Sequence, residues 1–265
     1  MLNPQDYLRK ILDKKEKEIV ALKSQGISAF VDKVEDVSYS FKSFYDSLRG
    51  SSLSLIGELK KASPSKGLIN PDFDIIKLSQ RYEEKGASAF SILTEINYFL
   101  GDPGFISTVK KNRNLPILRK DFIIDSIQVY ESKILGADAI LLILDILSLE
   151  KAQELLNLAK DLNLEVLMEI HSEEALSKLS GLDGLRIVGV NNRDLNTFKV
   201  DLNLGLTRLD QLQKSLPSDV LFVAESGYTT AAELDQLEKA GFSAVLIGEG
   251  LVTHPGMISF FTKRL

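Results

Sequence analysis

The chain of 265 residues contains no cysteine. Disulfides and thiolate chemistry are therefore excluded, and a reducing compartment is consistent with the composition. Histidine is nearly as scarce, with only His171 and His254. A zinc site of the usual His and Cys kind is left short of ligands, and no metal is expected. Positive charge is not in surplus either. The net charge is −5, so nothing in the balance recruits nucleic acid or an anionic membrane. A small anionic substrate stays compatible, because a local cluster of lysines outweighs a weak global charge. Long apolar runs are missing too. The longest aliphatic run, Ala139 to Leu144, is far too short to span a bilayer. Met1-Leu2-Asn3-Pro4 lacks the basic-then-apolar layout of a signal peptide. The expected location is the cytoplasm.

Hydrophobic residues make up 44% of the chain, enough to fill a sizeable core. From about residue 53 onward, short apolar runs alternate with helical patterns. The runs are Leu53–Leu59, Ala89–Leu93, Pro116–Arg119, Ala139–Ile143, Glu165–Ile170, Ile187–Val190, Leu221–Ala224 and Ala244–Ile247. Each is rich in Val, Ile and Leu without strict alternation, as strands covered on both faces are. Amphipathic stretches such as Asp125–Leu135 and Leu149–Leu162 lie between them. Gly86-Ala87-Ser88-Ala89, Gly136-Ala137-Asp138-Ala139 and Gly241-Phe242-Ser243-Ala244 each close a helix and open a strand. One αβ unit is thus reused, which favours a closed α/β barrel, a single (β/α)8 barrel of the TIM type. A doubly wound open sheet is the alternative, but no G-x-G-x-x-G follows the first strand.

The reading is one domain over residues 1–265, with residues 1–50 as an N-terminal helical extension. Tyr7–Leu22 reads as an amphipathic helix dense in Lys and Glu, and Ser38–Arg49 as a second short helix. The extension is either a cap on the barrel's bottom or a cover near its active site.

Catalytic residues of such barrels project from the C-terminal ends of the strands. Those ends carry Glu58 and Lys60, Thr94-Glu95, Arg119-Lys120-Asp121, Glu169, Asn191-Asn192-Arg193-Asp194, Glu225-Ser226-Gly227 and Gly248-Glu249-Gly250. One charged strand end is usually a solvated loop position. Ionisable groups at most of the ends point to a shared active site. Lysines beside carboxylates suit general acid–base work. Lys60 and Lys120 are the candidate proton donors. Glu58, Glu169 and Glu225 are the candidate acceptors or stabilisers of positive charge. A salt bridge closing the rim is the competing reading, and it is strongest for Glu225. The glycine turns after the seventh and eighth strands suit a phosphate, with Ser63 and Ser65 reaching from the first loop. His171, His254, Asp138 and Asp145 read as loop or cap residues.

Glu58-Leu59-Lys60-Lys61-Ala62-Ser63-Pro64-Ser65-Lys66-Gly67 resembles the signature segment of indole-3-glycerol-phosphate synthases. The similarity continues through Leu93-Thr94-Glu95, Pro116 to Ile123, Glu165 to Glu169, Val190 to Leu195 and Ala224 to Gly227. It implies closure of an indole ring from 1-(2-carboxyphenylamino)-1-deoxyribulose 5-phosphate with loss of carbon dioxide and water, without a cofactor. By the same resemblance Lys120 is the general acid, and Glu169 and Glu58 are carboxylates handling protons. Lys60 lies near the substrate carboxylate, with a proton-transfer role also open. Asn191 and Arg193 are polar contacts, and Phe122 and Leu141 pack the aromatic ring. Ser63, Gly227, Gly248 and Glu249 hold the phosphate, with Ser226 beside them. Gly250 and Gly57 depart from the family's commoner serine and alanine. A Schiff-base aldolase using Lys120 as nucleophile and a non-catalytic barrel are the competing readings. Nothing in the sequence fixes the oligomeric state.

Overall fold

The computed structural model describes residues 4–262. Eight parallel strands close into a barrel in chain order. They are β1 (Ser54–Leu59), β2 (Ala89–Leu93), β3 (Ile117–Lys120), β4 (Ala139–Ile143), β5 (Glu165–Ile170), β6 (Ile187–Asn191), β7 (Leu221–Glu225) and β8 (Ala244–Ile247). The seam joins the first strand to the last, with Ser54 opposite Ala244 and Gly57 opposite Ile247. Each apolar run read from the sequence lies within a residue or two of its strand. A two-stranded ribbon, Ala62–Ser63 with Gly67–Leu68, rises from the first loop.

Strand periodicity sorts the side chains into two sets. Leu55, Phe90, Ile92, Ile117, Ile140, Leu142, Val166, Met168, Val188, Val190 and Val245 point outward into the layer beneath the helices. Ile56, Ala89, Leu118, Ala139, Leu141, Leu167, Ile187, Val223 and Leu246 point into the barrel. Burying both sets removes the polar alternation that a one-sided sheet shows. The αβ turns follow the repeated glycine pattern. Gly136 and Gly241 end their helices at φ of 93° and 103°, in the left-handed region.

Gly57 carries the ring of Tyr82, from α4 (Ile75–Glu84), in place of a side chain of its own. An added methyl would lie 2.7 Å from the tyrosine Cδ2. The glycine in place of the commoner alanine is thus a packing choice matched by Tyr82.

The N-terminal extension takes both of the positions weighed for it, with separate helices. α1 (Pro4–Lys23) lies over the C-terminal mouth, where Ile11 joins the inner core. α2 (Ile27–Glu35) runs along the outer wall, with Ile19 of α1 and Phe30 packing on Ile127. It is a helix that the sequence reading passed over. α3 (Phe44–Leu48) seals the opposite end, burying Phe44, Tyr45 and Leu48 in the inner core. Glu165 accepts the Tyr45 N–H at 2.7 Å and the Ser43 hydroxyl at 3.1 Å. Asp138 was expected as an ordinary loop or cap residue, and here the structure corrects the reading. It is a fully buried anion that accepts Lys110 Nζ at 2.6 Å and the Lys42 and Ile117 N–H groups at 2.8 Å each. Its turn rivets the extension to the base of the barrel.

Candidate active site

Each inward-facing polar group stands two residues beyond an inward-facing apolar one. Glu58 follows Ile56, Lys120 follows Leu118, Glu169 follows Leu167, and Glu225 follows Val223. The period of two therefore carries them into the barrel's top layer, over a dry floor. Register sets them side by side, with Asn191 opposite Glu225 and Glu169 opposite Gly189.

Lys120 is the hub. Its Nζ donates to Glu169 Oε2 at 2.6 Å and to Glu225 Oε2 at 2.8 Å. Asn191 Nδ2 donates to the other Glu169 oxygen at 3.0 Å. Lys60 pairs with Glu58 on the first strand's end. Burial pulls the Lys120 ammonium down, but Glu169, Glu225 and Glu58 outweigh that and hold it above its ordinary value. Glu169 also meets the cost of burial, and Lys120 and Asn191 bring its carboxyl below the usual carboxylate value. Glu225 goes the other way. Burial, with Glu169 as a like-charged neighbour, pushes it up to about 8 against the pull of Lys120. One proton is thus held by two acids that meet on one lysine. Glu225 Oε1 is buried without a hydrogen-bond partner.

Two glycines make room for these acids. A methyl on Gly189 would overlap Glu225 Oε1, and one on Gly248 would overlap Glu58 Oε1. Gly189 was not among the residues singled out from the sequence. A glycine inside a buried strand is the signal that points to such close approach.

The cleft above this layer gathers the sequence-derived candidates. Glu58, Lys60, Ser63, Lys120, Phe122, Leu141, Glu169, Asn191, Arg193, Glu225, Ser226, Gly227, Gly248 and Glu249 all line it. It also takes in Leu8 and Ile11 of α1, Phe99 and Phe198, none of which the sequence singled out as a site residue. Phe99 is held by Glu95, whose carboxylate accepts the N–H groups of Asn97, Tyr98 and Phe99. It packs on Phe122 with ring centroids 6.3 Å apart. Glu95 is thereby a loop organiser at the strand end. His171 has a similar task. Its Nδ1 lies 2.8 Å from the Asn191 carbonyl and its Nε2 3.2 Å from Asp194, tying down the loop that carries Arg193 and Phe198.

At the seam end of the cleft, Ser226 and Gly227 have φ of 68° and 95°, so the backbone turns sharply after β7. Gly248 precedes a short helix, Glu249–Thr253. The Glu249 carboxylate turns to Arg193 at 3.7 Å and Lys66 at 3.8 Å. Gly250 explains its own departure from serine. A Cβ there would overlap the Tyr228 carbonyl oxygen and come within 3.0 Å of Met257 Cε.

Comparison with known proteins bears on the family and the fold. The family model described as indole-3-glycerol phosphate synthase matches residues 8–263. An indole-3-glycerol phosphate synthase of Chloroherpeton thalassium is 44% identical over 258 residues, covering 96% of this chain and 97% of its own. That of Chlorobium chlorochromatii is 43% identical over 252 residues, covering 92% and 95%. Among solved structures, the 3-hexulose-6-phosphate synthase of Salmonella typhimurium superposes with a TM-score of 0.60 at 13% identity, covering 80% of this chain and 97% of that one. A tryptophan synthase complex from Pyrococcus furiosus gives a TM-score of 0.56 at 15% identity, over 80% and 95%. At such identities these two speak for the barrel fold alone.

Proposed function

The chain belongs to the indole-3-glycerol phosphate synthase family, and from that premise we propose how its barrel mouth divides the work of closing the indole ring. The reaction turns 1-(2-carboxyphenylamino)-1-deoxyribulose 5-phosphate into indole-3-glycerol phosphate with loss of carbon dioxide and water, a step of tryptophan biosynthesis.

Lys120 is the general acid. The ring carbon bearing the carboxylate attacks the ketone carbon, and Lys120 gives its proton to the ketone oxygen. Carbon dioxide then departs and leaves its bonding electrons to the ring. Lys120, recharged, protonates the new hydroxyl, which leaves as water, and a carboxylate takes the proton lost from the adjacent carbon. Glu169 and Glu58 are the carboxylates for that proton and for the transient positive charge. Glu225 with Glu169 stores the proton that returns Lys120 to its charged form. The ammonium of Lys60 pairs with the substrate carboxylate before it is lost. Asn191 and Arg193 hold the polar groups of the sugar, and Phe122 with Leu141 grips the aromatic ring. The phosphate sits at the seam, against the backbone of Gly227 and Gly248 and the first turn beginning at Glu249, with Ser63 and Ser226 adding hydroxyls.

One observation carries this assignment: Lys120 Nζ bonded at once to Glu169 and Glu225 at the floor of the cleft. A Schiff-base aldolase needs a neutral lysine nucleophile, and these acids favour the ammonium. With a net charge of −5, the small anion itself, rather than nucleic acid, is the ligand. The cytoplasm is the proposed compartment, since a phosphorylated sugar does not cross membranes unaided. The test is to mix purified protein with the carboxyphenylamino sugar phosphate and follow indole fluorescence, with borohydride added in a parallel run. Ring formation insensitive to borohydride is expected. Inactivation by trapping of an imine on Lys120 would overturn the assignment.

A further inference from the structure

Lys15 lies on α1, far from the acid–base layer in sequence, and its side chain is only 2% exposed. Its Nζ is 2.8 Å from Asp121 Oδ1 and donates to Glu18 Oε2 at 2.7 Å. Asp121 is the residue after Lys120, and its carboxylate is fully engaged. Oδ1 takes Lys15 and the Phe122 N–H at 2.8 Å. Oδ2 takes the Thr94 hydroxyl at 2.6 Å and Arg119 at 3.2 Å. Arg119 reaches on to Glu131 at 2.8 Å. Burial opposes both charges, and each outweighs it for the other. Lys15 is held above its ordinary value by Asp121 and Glu18, and Asp121 below its own by Lys15 and Arg119.

A helix that needed only to adhere to the barrel had cheaper means. Ile11 and Ile19 on the same helix are buried without polar demands. A buried ion pair is weak as a stabiliser, because desolvation consumes most of its attraction. It is strong as a fixer of geometry, since four donors leave one orientation for the carboxylate. That orientation sets the backbone at Phe122 and therefore the end of β3, from which Lys120 points inward and Phe122 lines the cleft. The same helix brings Leu8 and Ile11 to the cleft.

We propose that Lys15 is a positioning residue for ring closure, locking the α1 cover to the strand end that aims Lys120. The inference rests on the role given to Lys120 above. Lys15 touches no reacting atom and acts through Asp121.

The test is the kinetics of Lys15→Met and Lys15→Arg at a temperature where circular dichroism shows both folded. Displacing a catalytic group by about an ångström costs up to about 100-fold, so Lys15→Met should lower kcat about 10-fold to 100-fold. KM should rise by much less than that, and Lys15→Arg should recover most of the lost turnover. Should Lys15→Met not fold, Lys15→Gln, which keeps a donor without the charge, carries the same test. A folded Lys15→Met or Lys15→Gln variant with unchanged kcat, or a loss of kcat that Lys15→Arg leaves unrepaired, overturns the proposal. Lys120→Met measured alongside separates the two claims. If it retains wild-type turnover, the role of Lys120 itself is wrong, whatever Lys15 does.

Discussion

Lys120 and Lys60 each stand beside a carboxylate, yet their surroundings differ, as do the roles proposed for them. Lys120 is gripped by two buried acids, whereas Lys60 pairs with Glu58 alone. A donor that acts in the transition state affects kcat and kcat/KM together. Lys120→Met should therefore cost about 10² to 10⁴-fold in kcat. Lys60→Met should mainly raise KM, by the roughly 1.5–3 kcal/mol of a charge-assisted hydrogen bond. Steady-state kinetics of both variants decide it. Loss of kcat at constant KM in Lys60→Met, with Lys120→Met active, would reverse the roles. Glu225 makes a second expectation. Its carboxyl is raised to about 8, by burial first and by Glu169 among its neighbours, despite Lys120. When it ionises, Lys120 holds its proton more tightly, so kcat/KM should fall as pH climbs through about 8. A folded-state pKa above the unfolded value adds stability that is full below the unfolded value and is lost as pH rises through the folded one. Glu225→Gln mimics the protonated acid. It should lose the basic limb of the pH profile and show a flatter melting temperature between pH 6 and 9 than the wild type. An unchanged limb in the variant would assign that titration to another group.

At the scale of elements, the described residues of the extension form three helices in three places, and only α1 lines the cleft. Leu8 and Ile11 of α1 line the cleft, and Tyr7 meets Tyr98 and Phe198 edge-on at centroid distances of 5.8 and 5.6 Å. α3 closes the other end. A chain beginning at Ser38 keeps that plug and loses the cover. It should fold, melt at a lower temperature because Ile127 loses Ile19 and Phe30, bind substrate with a raised KM, and turn over more slowly because Lys15 leaves with α1. Unchanged KM, or failure to fold, would each refute that division. The strands were legible because two-sided burial leaves dense runs of Val, Ile and Leu between glycine turns. The top-layer carboxylates were legible because the barrel rule ties strand ends to chemistry. Lys15 and Asp121 were not, since 106 positions separate them and each alone reads as a solvated charge. Leu8 and Ile11 were not, because an apolar stripe on a helix looks the same whether it faces core or substrate. α2 starts after Gly26 with no side-chain cap, and without that start signal its apolar spacing passed as loop.

For the molecule as a whole, the decisive place is the seam where β8 meets β1. A barrel has no free edge only while that last pairing holds. The proposed phosphate site straddles it. Ser63 comes from the loop after β1, Gly227 from the loop after β7, and Gly248 and Glu249 from the loop after β8. An anion bound there ties the first strand's loop to the last two, and a ligand that binds only the folded state stabilises it by mass action. Inorganic phosphate at about 100 times its Kd contributes about 2.7 kcal/mol. For a chain of this size that corresponds to roughly 5–10 °C in melting temperature. The dose-dependent rise should shrink in Ser63→Ala, which loses a hydroxyl at the site. It should shrink further in Gly227→Ala, which is strained at φ of 95° and crowds Val200. Lys120→Met should keep the full phosphate shift even though turnover collapses, because the acid lies at the floor of the cleft and not at the seam. A shift equal in all four proteins would place the anion elsewhere. A shift lost in Lys120→Met but kept in the seam variants would put the phosphate at the acid–base layer and reverse the direction in which the substrate lies across the barrel.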